Sequence, residues 1–141
     1  MPALKPETAM RKLVIDDAGL SALISSRVYP DVAPEKSAFP FVVYERISTD
    51  VQHDMGGAGN LKYVRVGMTI YSYSPDERNT IAEAIEALLD GNRDTATISA
   101  SSIRFQTLFL EDQQDQVLKP DDGKGRAIYQ ALQTYFVAYS N

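Results

Sequence analysis

Between residues 61 and 91 the apolar side chains change period across one short phrase, and this change constrains the fold more than any other feature. Val64, Val66, Met68 and Ile70 fall on one side of an alternation whose other side carries Tyr63, Arg65, Thr69 and Tyr71. A period of two belongs to an extended strand, here residues 61–73. Ser74-Pro75-Asp76-Glu77 then has the form of a helix start. Serine stands at the cap, proline at the first helical position and glutamate at the third. Ile81, Ile85, Leu88 and Leu89 follow as one helical stripe, and Gly91 suits the stop.

The rest of the chain repeats these two kinds of segment. Residues 7–15 and 17–25 read as helices, from the spacing of Met10, Leu13 and Val14 and of Leu20, Leu23 and Ile24. Asp16-Asp17 marks a kink between them, where a carboxylate accepts orphan backbone N–H groups. Val28-Tyr29-Pro30 ends this segment, and Pro30, Pro34 and Pro40 make residues 30–40 irregular. Residues 41–48 are β-branched and aromatic and read as a strand. It pairs with 61–73 as a hairpin whose long tip, 50–60, holds Gly56-Gly57-Ala58-Gly59. Residues 102–110 alternate and form a third strand, 111–125 reads as a polar loop, and 126–139 forms a last long strand. The expected fold is α+β: an antiparallel four-stranded sheet with helices packed on one face, in the order α(α)-β-β-α-β-β. With 141 residues, one domain spanning 1–141 is expected, large enough to bury about two thirds of its unfolded surface.

Helices can cover only one face of a single sheet. If the second and fourth strands lie close, the other face is expected to present Tyr63, Tyr71, Tyr129, Tyr135 and Tyr139. Tyrosine suits a half-wet interface, so a neighbouring subunit is the expected cover. Cross-strand pairing on an exposed sheet, or cover by the N-terminal helices, are the alternatives.

Composition removes much of the catalytic repertoire. No cysteine occurs, which excludes disulfides, cysteine-ligated zinc and a thiol nucleophile. One histidine, His53, excludes a two-histidine metal site. Lys and Arg number 14 against 19 Asp and Glu, a net charge of −5. That balance lacks the bulk positive charge of a typical nucleic-acid binder, with local basic patches still open. No apolar run of 18 residues occurs, so no membrane span is expected. Met1-Pro2-Ala3-Leu4-Lys5-Pro6 does not read as a signal peptide, and an intracellular, reducing origin fits.

The local motifs are weak. The glycines at 56–59 lie between two strands, whereas a phosphate loop needs a helix N-terminus after them; Gly123-Lys124-Gly125-Arg126 fails likewise. His53 beside Asp54 lacks an evident nucleophile or pocket. Glu111-Asp112-Gln113-Gln114-Asp115 and Asp121-Asp122 do not follow the calcium-loop spacing. Segment 111–122 carries five acids and one lysine. Copies arranged around a hole would line it with negative charge. No enzyme, cofactor or metal is expected.

The order of elements and four phrases resemble the tail completion proteins (tail terminators, or tail-to-head joining proteins) of long-tailed bacteriophages and prophages. The phrases are Asp17–Ile24 running into Arg27-Val28-Tyr29-Pro30; Pro40-Phe41-Val42-Val43-Tyr44; Val64–Ser72 running into the helix Ile81–Asp90; and the closing strand Tyr129–Tyr139. The resemblance covers nearly the whole chain and carries no catalytic residues. It implies a structural virion protein, assembled in the bacterial host cytoplasm, forming a hexameric ring on the head-proximal end of the tail tube. Its implied partners are further copies of itself, the tail tube protein and the head-tail connector, with genomic DNA only in passage and no membrane. The 50–60 loop, with Asp50, His53, Asp54, Gly56, Gly57 and Gly59, becomes a candidate contact with tube or connector. Glu111, Asp112, Asp115, Asp121 and Asp122 become a candidate acidic lumen or loop. Two readings stay open beside it: another phage neck or minor tail component, and a small adaptor or binding module using the tyrosine face.

Overall fold

The computed structural model describes residues 5–50, 53–54, 57–58, 62–92, 95–98, 101–119 and 126–140. The two N-terminal helices, α1 (Pro6–Asp16) and α2 (Ala18–Ile24), break at Asp17. Its carboxylate accepts the Leu20 N–H at 3.0 Å, which caps α2 as expected. Helix α3 (Pro75–Leu89) starts at Ser74, whose hydroxyl accepts the Glu77 N–H at 3.4 Å. The return half of the capping box is relayed. Ser72 Oγ donates to Glu77 Oε1 at 2.6 Å and accepts the Ser74 N–H at 3.1 Å. The last residue of a strand thus helps to close the first turn of the helix. Gly91, at φ +80°, turns the chain away after α3.

The strands are β1 (Val28–Pro30), β2 (Phe41–Asp50), β3 (His53–Asp54), β4 (Gly57–Ala58), β5 (Lys62–Ser72), β6 (Thr95–Ile98), β7 (Ser101–Leu118) and β8 (Ile128–Ser140). They form a six-stranded sheet in the order β1-β2-β5-β8-β7-β6 and a separate β3-β4 ribbon. The α+β class holds, but the expected four-stranded antiparallel sheet does not. Strand β1 pairs parallel with β2, so the sheet is mixed. Val28-Tyr29-Pro30 adds this edge strand instead of ending a segment, and β6 adds another at the opposite margin.

The largest correction concerns 111–118, expected as loop. These residues continue β7, which stays paired with β8 through Leu118↔Ile128. Their Asp and Gln side chains give no alternation, because residues 111–119 are exposed on both faces. The partner strand dictates their conformation.

The helices pack on one face of the main sheet. Met10, Val14, Leu20, Ile24, Ile81 and Ile85 meet Val64, Val66, Met68 and Ile70 of β5 in one fully buried cluster. Phe105 and Leu108 of β7 and Tyr135 and Val137 of β8 complete it.

Candidate functional site

Register decides which face each tyrosine occupies. In the antiparallel pair of β5 and β8, Tyr63 stands opposite Ala138 and Tyr71 opposite Gln130. Odd residues of β5 therefore share a face with even residues of β8. Tyr63 and Tyr71 lie on the helix-free face, whereas Tyr129, Tyr135 and Tyr139 lie on the helix side. The five tyrosines do not form one surface. Tyr135 is 0% exposed, inside the core. Its hydroxyl donates to Gln133 Oε1 at 2.8 Å, and Gln133 Nε2 donates to the Ala82 carbonyl at 2.9 Å and to Gln113 Oε1 at 3.0 Å. Burial pushes the Tyr135 phenol far above its ordinary range, with Glu86 and Asp90 adding to the rise. Tyr139 is also buried, and Tyr129 lies under the Arg78 guanidinium, 5.9 Å from its ring centre. Tyr135 and Tyr139 are held in the core and are withdrawn from the candidate interface, while half-buried Tyr129 faces the helix side.

The helix-free face carries other aromatic groups instead. Phe41 stacks on Tyr71 at 4.9 Å, and Phe39 stacks on Tyr73 at 4.1 Å. The Arg126 guanidinium lies 4.2 Å from the Tyr73 ring centre. Towards the other end of the strands, Phe136 contacts Tyr63 and Phe109, with centroids 5.8 and 5.3 Å apart. Phe109 is 40% exposed and Ile47 47%. Gly67 makes room for this surface: a Cβ there would stand 3.1 Å from Ile47 Cδ1 and 3.4 Å from Leu132 Cδ1.

Arg65 ties the face together. Its guanidinium lies 5.4 Å from the Phe136 ring centre. Nη1 reaches Asp50 on β2 at 3.1 Å, and Nε reaches Glu111 on β7 at 3.0 Å. Asp50 and Glu111, assigned by sequence to two separate regions, are thus brought to one cation. Asp112 and Asp115 are exposed on β7 and accept hydrogen bonds from Gln114 and Gln113. Asp121, Asp122, Gly56 and Gly59 lie outside the described residues. His53 and Asp54 form β3, pairing with Ala58 and Gly57 of β4.

Sequence reasoning missed Arg65, Phe109, Phe136 and Ile47. The signal for the first three was the alternation of β5, β7 and β8, but its parity across strands needs the register. A separate groove of 420 Å³ between α1 and β2 is lined by Lys5, Glu7, Thr8, Pro30, Asp31, Tyr44, Glu45 and Arg46. Arg46 pairs with Glu7 across it at 2.9 Å. No cluster of three His, Asp or Glu positioned to hold a metal occurs among the described residues. No helix among them is long and apolar enough to cross a membrane. The features left to act are an aromatic sheet face and an acidic strand, which are means of contact between surfaces.

The sequence matches the family described as "Tail completion protein gp17" over residues 8–135. A search of curated proteins finds no significant match. Among solved structures, a chain from the virion of a native gene transfer agent (GTA) particle superposes with a TM-score of 0.68. It is 17% identical, and the match covers 96% of this chain and 95% of that one. A second solved chain gives a TM-score of 0.54 at 13% identity, over 92% of this chain and 90% of that one.

Proposed function

The chain belongs to the tail completion protein gp17 family, a structural component of phage tails, and from that premise we propose that it caps the head-proximal end of the tail tube. In this reading several copies, six by the family resemblance, close into a ring that ends tube polymerisation and presents a surface to the head connector. DNA passes through the hole. The observation that carries the reading is the family match over residues 8–135. The fold shared with a chain of a gene transfer agent virion supports it.

Two surfaces support the reading. The aromatic helix-free face, with Phe109 and Ile47 exposed, is the apolar contact. Asp112 and Asp115 are carboxylates left free of any cation among the described residues. A lumen of Lys and Arg would hold DNA by phosphate contacts, each adding steep salt-dependent affinity. A negative lumen repels the duplex and lets it slide; Asp112 on the helix-free face, or Asp115 on the other face of β7, with Asp121 and Asp122, are our candidates for it. Segment 50–60 is the candidate contact with tube or connector.

Negative-stain electron microscopy over a concentration series, with molar mass from light scattering, tests the ring. Closed rings with a hole that admits duplex DNA support the reading. A monomer that neither self-assembles nor binds purified tail tubes overturns it.

A further inference from the structure

The two margins of the main sheet are treated differently. At one margin β1 is closed to further pairing. Val28 O accepts Arg11 Nε at 2.9 Å, Pro30 has no N–H, and its carbonyl accepts the Val32 N–H at 2.6 Å. At the other margin, β6 covers Ser101–Arg104 of β7. The end of α3 covers the next stretch, with the Gly91 N–H on Leu108 O at 2.7 Å and Asp90 Oδ1 on the Leu110 N–H at 2.9 Å. From Glu111 to Leu118 the outer edge of β7 meets no strand among the described residues. Against pairing it carries Glu111, Asp112 and Asp115 and the bulge between Leu110 and Asp112, but no Pro or Lys.

The open stretches lie diagonally across the sheet. Beyond Tyr44, where β1 stops, the outer edge of β2 from Glu45 to Asp50 also meets no strand among the described residues. Following the pairs across the sheet, Val42–Tyr44 lie level with Gln113–Asp115, and Arg46–Thr49 lie level with Leu108–Leu110. Except at the level of Glu45 and Asp112, each margin is therefore open where the other is closed. Strand β2 runs opposite to β7, as the alternation β2-β5-β8-β7 requires.

We infer that the open edge of β7, Glu111–Leu118, receives the open edge of β2, Glu45–Asp50, from a second copy of this chain. The junction is antiparallel without turning the second copy over. It joins unlike surfaces, which is the contact that generates rings. Because the open stretches are diagonal, neighbouring copies sit staggered along the strands. Strands that close around an axis need that stagger, since closure requires tilt and shear. A level, unstaggered copy would instead set the blocked edge of β1 against β7. This inference rests on the ring reading above and specifies its contact.

Two measurements on the full-length chain test it. The first is hydrogen exchange on the wild-type protein before and after assembly, alone or on purified tail tubes. Amides of 111–118 are expected to slow by about tenfold or more on assembly. The second uses the absence of cysteine. Ser48→Cys is paired with Asp112→Cys, Gln114→Cys or Gln116→Cys in turn. Oxidation of one such double variant is expected to give a ladder of covalent multimers that neither single variant gives. Rings whose 111–118 amides exchange as in the free protein, and in which no pair cross-links, overturn the edge contact and leave the ring reading standing. Failure to assemble under any condition overturns the ring reading, and the edge contact with it.

Discussion

Tyr135 shows what one residue contributes and what sequence could not assign. Its alternation in β8 was readable, but its face depended on the offset between β5 and β8, which no local pattern encodes. The structure buries it under α3 with its hydroxyl on Gln133. Tyr135→Phe leaves Gln133 Oε1 without that donor and is expected to cost about 1–3 kcal/mol in denaturant unfolding. The phenol also links stability to pH. Its folded pKa is raised and its unfolded value is the ordinary 10.0. Stability is therefore full below about pH 10 and falls as pH rises further, by about 1.4 kcal/mol per unit. The sign follows because the unfolded chain loses its proton first. Tyr44 and Tyr71, raised chiefly by burial as well, add to the loss. Alkaline melts of Tyr135→Phe are expected to show a shallower decline than the wild type.

Elements with their own local signals were read correctly from sequence. Helix α3 has its cap, proline and stripe within 18 residues of chain, Ser74 to Gly91, and α2 has Asp17. Ser74→Ala and Asp17→Ala are each expected to lower stability by about 1 kcal/mol in thermal or denaturant unfolding. Gly91→Ala is expected to cost about as much, through its φ of +80° alone, since nothing lies within 4 Å of the added methyl. Elements that depend on a partner were misread. The outer half of β7 is extended because β8 lies beside it, and β1 exists because Arg27 O and Tyr29 lie along β2. A run such as Glu111–Gln116 has turn-like composition and a strand's conformation, and only its pairing with β8 resolves the conflict. The candidate site was half visible for the same reason: the acids were apparent, whereas the aromatic face and its Arg65 clamp were not.

At the scale of the whole molecule, the fold is an asymmetric plate. One face is sealed by three helices and the other is left aromatic. Phe109→Glu changes an exposed side chain and is expected to leave the thermal midpoint of the monomer nearly unchanged, while sharply reducing assembly measured by light scattering. Arg65→Ala is expected to do the same more weakly, because Asp50 and Glu111 lose their shared cation. We propose that this plate assembles on the end of a tail tube and stops its growth. The direct measurement is the length of tubes, imaged by electron microscopy, when purified tube protein polymerises from initiated ends with and without this chain. Short tubes with one end closed by extra density are expected, with no further elongation when fresh tube protein is added. Tubes that keep elongating to the same length, with no density at their ends, would contradict it.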